Sequence, residues 1–175
     1  DKAKGRGKKV IYSPVKECAL AHDIPVYQPV RIKKDPEFIQ TLRDMAPDVI
    51  VVVAFGQILS KEVLDIPRLG CVNVHASLLP KYRGSAPIQW AVINGDEVTG
   101  VTTMRLDEGV DTGDMIAKRQ VRLSDDETGG SLFDKLAVVG AELCVETMKM
   151  IEDGTAEYTP QNSEESTHVG KIGKE

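Results

Sequence analysis

Two polar side chains stand two residues apart in the segment NVHASLLPKYRG, residues 73–84: Asn73 and His75, interleaved with Val72 and Val74. Residues two apart on an extended chain share a face. The amide and the imidazole therefore project together, while the valines point the other way into packing. Ligands of open α/β sheets bind beyond the carboxyl ends of strands, where this pair would lie. A primary amide and an imidazolium are donors suited to the negative oxygen that develops when a nucleophile adds to a carbonyl. A proton relay would complete such a site, and the loop DEGVDTGD, residues 107–114, offers four carboxylates: Asp107, Glu108, Asp111 and Asp114. Spacing does not choose among them, and Asp and Gly are also ordinary turn residues.

The elements that must position these groups can be read from periodicity. DVIVVVAFG, residues 48–56, holds a run of apolar, mostly β-branched residues, as in a strand covered on both faces. GCVNVHA, residues 70–76, supplies a second strand. TGVTTMRLD and DMIAKRQVRL alternate as two further strands around the acidic loop, which they should bring to the same sheet end as Asn73 and His75. Helices are expected over 14–22, with Ser13 as cap and Pro14 in the first turn, and over 36–46, with Asp35 as cap. One or two helical turns over 60–65 and a helix over 86–94, capped by Ser85, follow. The last helix begins at Ser131, where Ser131 and Asp134 resemble a capping box, and ends at Gly154. IPVYQP, residues 24–29, reads as a short strand fenced by prolines. Strands alternating with helices predict an α/β fold, a mostly parallel sheet with an antiparallel pair near its end and helices on both faces. The tail TPQNSEESTHVGKIGKE is polar and nearly aperiodic, as a linker would be.

Composition bounds the function classes. The 175 residues are 41% apolar and 28% charged, an ordinary globular balance for one domain. No run reaches the 18 or so apolar residues of a membrane span, so the expectation is a cytoplasmic protein with no membrane partner. Cys18, Cys71 and Cys144 are scattered and unpaired in spacing, which suggests neither disulfides nor a zinc site, and no metal is expected. Residues 1–9 carry Lys2, Lys4, Arg6, Lys8 and Lys9 against Asp1 alone, a local +4 in a chain whose total is −5. A basic, glycine-punctuated arm on an acidic body suggests local contact with a polyanion.

The segment from Asn73 to Met115, NVHASLLPKYRGSAPIQWAVINGDEVTGVTTMRLDEGVDTGDM, closely resembles the formyltransferase domain of enzymes that use 10-formyltetrahydrofolate. Within that superfamily, GRGKKVIYSPVKECA, IPVYQP and VVVAFGQILSKEVLDIPRLGCVNVH look like the methionyl-tRNA formyltransferases. The resemblance extends to about residue 160 and implies a Rossmann-like formyltransferase fold. It places the family's catalytic asparagine, histidine and aspartate on Asn73, His75 and Asp111. It also implies a folate pocket along Phe55, Gly56, Gln57, Ile58 and Leu59, along Ser77, Leu78, Leu79 and Pro80, and at the backbone of Gly109 and Val110. The basic arm would correspond to the loop that grips the acceptor stem of initiator methionyl-tRNA, with Arg6 as its leading arginine and Lys8 and Lys9 in support. The implied reaction is transfer of a formyl group from 10-formyltetrahydrofolate to the amino group of that tRNA, by a monomer.

The family's first strand, Gly-Thr-Pro loop, helix and second strand find no counterpart ahead of Asp1, and a β-barrel domain would follow the tail. The expectation is therefore a catalytic domain over 1–160 lacking that opening portion, with 161–175 as a linker towards an absent C-terminal domain. Three rival readings draw on these residues. A hydrolase could use Ser77, His75 and Asp111, but there is no G-x-S-x-G elbow, and Ser77 would share the histidine's face, poorly placed for activation. A folate-dependent formyltransferase or hydrolase acting on another amine, such as a sugar nucleotide, gives no reason for the GRGKK arm. A non-catalytic RNA-binding module would use the arm but lacks aromatic stacking residues there. Trp90 reads as a packing residue, and Arg83 as a cleft stabiliser or anion contact, with Gly84 permitting a tight turn.

Overall fold

The computed structural model describes residues 2–4 and 9–173. The chain forms two compact units, Asp1–Arg31 and Ile32–Glu175. In the first, β1 (Lys2–Lys4) and β2 (Lys9–Ile11) pair antiparallel, with Ala3 opposite Val10. Helix α1 (Pro14–Ala21) starts as its sequence predicts: Ser13 accepts a hydrogen bond from the Lys16 N–H at 3.2 Å, and Pro14 fills the first turn. Arg6 and Lys8 lie outside the described residues, and Lys9 opens β2. No strand forms over residues 24–29. Pro25 and Pro29 have no N–H to give a ladder, and the Ile24 N–H turns back to the Ala19 carbonyl at 2.8 Å.

The second unit is built on a sheet of four strands in the order β3 (Ile50–Val53), β4 (Cys71–His75), β6 (Val98–Arg105), β7 (Met115–Arg122). β3 and β4 are parallel, with Val52 opposite Asn73. β4 with β6 and β6 with β7 are antiparallel, His75 facing Thr102 and Asn73 facing Met104. The antiparallel pairing therefore reaches one strand deeper into the sheet than a closing pair alone. Helices cover both faces, as expected. On the face of Cys71, α2 (Pro36–Met45) and α3 (Lys61–Leu64) pack Ile39, Phe38, Leu42 and Val63 against Ile50 and Val52. Burial pushes the Cys71 thiol up to about 11, so it is a small apolar core residue at neutral pH.

The other face belongs to α5 (Gly129–Asp153), which packs Leu132, Leu136 and Leu143 against Val74 and Val101. Gly140 lets the helix approach, because a Cβ there would already meet Val74 at 3.3 Å. One polar contact is sealed inside this layer, the Thr103–Thr147 hydroxyl pair at 2.8 Å, and Thr147 also donates to the Leu143 carbonyl. α5 begins two residues earlier than expected. Its cap is Thr128, which accepts from the Ser131 N–H while the Ser131 hydroxyl accepts from the Thr128 N–H, so Ser131 closes the capping box from its third position. Gly129 and Gly130, poor helix formers, are held inside that box.

α4 (Pro87–Ile93) is capped by Ala86 without a side-chain bond. The N–H of Ser85, expected as the cap, donates to the Val169 carbonyl. That contact belongs to a small parallel pair between β5 (Arg83–Gly84) and β8 (His168–Val169). The polar tail read as a linker is thus hydrogen-bonded along the segment that follows His75. No helix among the described residues is long and apolar enough to cross a membrane.

Candidate active site

His75 ends β4, and the chain then turns through Ser77–Tyr82 into β5. This turn is fixed from inside. Ser77 is wholly buried and donates its hydroxyl to the Lys81 carbonyl at 2.6 Å; Leu79, equally buried, gives its N–H to Thr102 Oγ1, which donates in turn to the Ser77 carbonyl. Lys118 Nζ donates to the Leu79 carbonyl at 2.5 Å, and the Thr167 N–H donates to the Pro80 carbonyl. The Leu79–Pro80 bond is cis. Ser77 is committed to this scaffold, so a serine nucleophile activated by His75 has no support here.

Beyond the turn, Tyr82 takes a left-handed backbone at φ 58° and is held there by three bonds. Its N–H donates to Thr167 Oγ1, its hydroxyl donates to Asp96, and Asn94 donates to that hydroxyl. The result is that the Tyr82 carbonyl sits 2.9 Å from His75 Nε2. A carbonyl only accepts, so Nε2 carries the proton. Nδ1 is the nitrogen left for chemistry.

Nδ1 faces Asp111 Oδ2 at 3.7 Å, with the two side chains 7% and 14% exposed. Among the four loop carboxylates, it is Asp111 that stands within ion-pair distance of the imidazole. The route it takes differs from the one expected. Leu106 N–H bonds the Cys71 carbonyl, so the β6–β7 loop leaves the sheet at the amino end of β4 and folds back over the Asn73 face. Asp111 has φ 55°, a left-handed conformation that is rare for a residue with a side chain. Three bonds hold the loop in place. The Gly84 N–H donates to Asp111 Oδ2 at 2.8 Å, and Gln161 Nε2 donates to the carbonyls of Asp111 at 2.9 Å and Gly113 at 2.7 Å. Gly84 must be glycine, since at φ 113° a Cβ would lie 2.1 Å from the Val169 carbonyl oxygen.

Asn73 projects on the same face and is partly open. Among the described residues its amide has no hydrogen-bond partner, whereas His75, Asp111 and Thr102 are each bonded. The Phe55–Leu59 segment follows β3 at the same sheet end as His75, because β3 and β4 run parallel. It presents Phe55 and Ile58 at 41% and 65% exposure, while Leu59 is buried and Gln57 Oε1 accepts from the Ile32 N–H. Val110, beside Asp111, is 51% exposed, and the neighbouring Gly109 N–H donates to Asp107. Among the described residues no group of three or more His, Cys, Asp and Glu is placed to hold a metal ion.

A partly buried amide, imidazole and carboxylate beside open apolar surface is an arrangement suited to acyl transfer. A family model described as Formyl transferase matches residues 1–148. The chain belongs to the formyl transferase family. It is 74% identical over its whole length to a methionyl-tRNA formyltransferase of Agathobacter rectalis, of which it spans 56%. The chain thus covers little more than half of that relative. Among solved structures, a phosphoribosylglycinamide formyltransferase of Bacillus halodurans is 30% identical and superposes with a TM-score of 0.72, covering 80% of this chain and 76% of that one. An N-formyltransferase of Helicobacter canadensis, solved with folinic acid and dTDP-3-aminofucose, shares the fold at 21% identity and a TM-score of 0.72, covering 97% and 59%.

The geometry around His75 and Asp111 also depends on residues that sequence reasoning passed over. Tyr82 sets the histidine tautomer through its carbonyl, and Gln161, inside the stretch read as a linker, braces the aspartate loop. Neither carries a local signal. Tyr82 acts through backbone, and Gln161 through bonds to residues 48–78 positions away. Arg83 is 4% exposed and donates from Nε to Gln161 Oε1 at 2.9 Å, which fits the cleft-stabilising role. Trp90 packs against the α5 core and donates to the Gly170 carbonyl.

Proposed function

We propose that the full-length protein carrying this chain transfers a formyl group from 10-formyltetrahydrofolate to the free amino group of methionyl initiator tRNA. The single observation that carries the reading is the convergence of the Asn73 amide, unpartnered among the described residues, His75 Nδ1 and Asp111 at the end of β4. The resemblance to methionyl-tRNA formyltransferases supports the acceptor, and the exposed Phe55, Ile58 and Val110 suit the aromatic rings of a folate donor.

In the reaction a C–N bond forms between the amine and the formyl carbon, and the bond from that carbon to the folate nitrogen breaks. Negative charge gathers on the formyl oxygen as the amine adds. Asn73 Nδ2–H and a protonated His75 Nδ1 meet that oxygen, while Nε2 stays bound to the Tyr82 carbonyl. Asp111 stabilises the imidazolium across 3.7 Å. It also accepts the proton that the amine loses, which is returned to the departing folate nitrogen, so protons balance. Arg6, Lys8 and Lys9 contact the acceptor's phosphates, a contribution that weakens with salt.

The test is formyl transfer by the full-length protein with charged initiator tRNA and, in parallel, a sugar-nucleotide amine. Transfer to the tRNA is expected, and Arg6→Ala should raise KM for tRNA more at low than at high salt. Exclusive transfer to the sugar amine would replace the acceptor. No transfer to either would end the reading.

A further inference from the structure

We infer that Gln161 is a positioning residue for the reaction, acting through the loop that carries Asp111; the inference rests on the formyl-transfer reading above. The geometry leaves the Gln161 amide no second orientation. Its Nε2 gives its two hydrogens to the carbonyls of Asp111 and Gly113 at 2.9 and 2.7 Å, and its Oε1 accepts from Arg83 Nε at 2.9 Å. Turned over, the amide would set an oxygen against two carbonyl oxygens and an NH2 against a guanidinium. Arg83 is almost wholly buried and has no carboxylate within ion-pair distance among the described residues, so Gln161 Oε1 is the acceptor that fixes the amide's sense.

What Gln161 holds is a conformationally demanding stretch of the site. Asp111 has a left-handed backbone, uncommon for a residue other than glycine, and such conformations persist only where the surroundings determine them. The Gly84 N–H anchors one carboxylate oxygen, and Gln161 anchors the peptide carbonyl of the same residue and that of Gly113. Gly113 has its own constraint, since a Cβ there would fall 1.7 Å from the Arg105 carbonyl oxygen. With the carboxylate held by Gly84 and the backbone that follows it held by Gln161, the distance from Asp111 to His75 Nδ1 is set. A misplacement of about 1 Å in such a group can cost on the order of 100-fold in rate. Gln161 touches neither His75 nor any reacting atom, so its effect is on turnover through Asp111.

The test compares Gln161→Ala and Gln161→Glu with the wild type in the full-length protein, by kcat, KM for the folate donor, and the pH titration of the His75 ring nitrogens followed by NMR. Glutamate keeps an acceptor for Arg83 but cannot donate to the two carbonyls. Positioning predicts that both variants lose 10-fold to 100-fold in kcat with KM for folate within about 2-fold, and that both alter the His75 titration. A role confined to satisfying Arg83 predicts that Gln161→Glu behaves as wild type, which would overturn the inference. So would an unchanged His75 titration in a folded Gln161→Glu protein. A wild type that transfers no formyl group would instead sink the functional reading, and the NMR comparison would still decide the fate of the His75–Asp111 geometry.

Discussion

The two faces of the sheet are closed by different means. One is sealed by helices, α5 with α4 beside it; the α5 leucines interlock with Val74 and Val101, and the buried polar pair Thr103 with Thr147 is satisfied internally. The other is covered by α2 and α3 only at its Cys71 end. At its His75 end it is closed by irregular chain: the turn after β4, the loop before β7 and the tail at Gln161. A helix satisfies its own backbone and offers only side chains. Irregular chain must find partners for each N–H and C=O, and those partners can be aimed. On this face they are spent on the Tyr82 carbonyl at His75, the Gly84 N–H at Asp111 and the amide of Gln161. One face holds the fold together and the other arranges chemistry.

Substitutions should separate the two faces. Leu143→Ala, at a position 1% exposed against the α5 core, is expected to cost about 2–5 kcal/mol of stability. Turnover per folded molecule should stay near wild type, as chemical denaturation and active-site titration of the full-length protein would report. A large fall in kcat at full occupancy of the fold would mean that the α5 face also tunes the site.

Asn73→Ala should do the reverse. The amide bonds no described residue, so the melting temperature should barely move, while loss of one donor to the developing oxyanion removes about 2.7–4 kcal/mol of transition-state stabilisation, or on the order of 100-fold to 1,000-fold in kcat. Loss of folate affinity in equal measure would recast Asn73 as a binding residue that stabilises substrate and transition state alike.

The same contrast decides what could be read from the sequence. Leu132, Leu136, Leu143 and Thr147 recur at helical spacing because one face of α5 meets one sheet, so the helix itself was legible from periodicity. Asn73 and His75 were legible for the same reason, being two residues apart on a strand. Asp111 was not separable from Asp107, Glu108 and Asp114 by spacing, since what distinguishes it is a left-handed backbone and a bond from Gly84. Only the family resemblance singled it out. Gln161 had no such aid: a polar residue in an aperiodic stretch looks like linker whether its amide meets water or a loop 50 residues away. Thr128 was missed as the cap of α5 because two glycines after it look like a loop, and only the reciprocal bonds with Ser131 reveal the helix start.

That helix start also carries the smallest expected effect, and one that belongs wholly to the structural face. Glu127 accepts from Lys135 Nζ, from the Ser131 hydroxyl and from the backbone and hydroxyl of Ser124, and these donors, Lys135 foremost, hold its carboxyl down at about 2 from an ordinary 4.5. A carboxylate with a depressed folded-state value binds protons more readily when the chain is unfolded. Its contribution to stability is therefore complete above about 4.5 and is lost as pH falls from there towards about 2. Glu127→Gln keeps the size of the side chain but removes the charge facing Lys135. The variant's melting temperature should lie below wild type at neutral pH, and the gap should close as the two are followed from pH 5 down to pH 2. A gap that stays constant over that range would mean that Glu127 serves α5 by shape alone, leaving Thr128 and Ser131 to hold the first turn over the sheet.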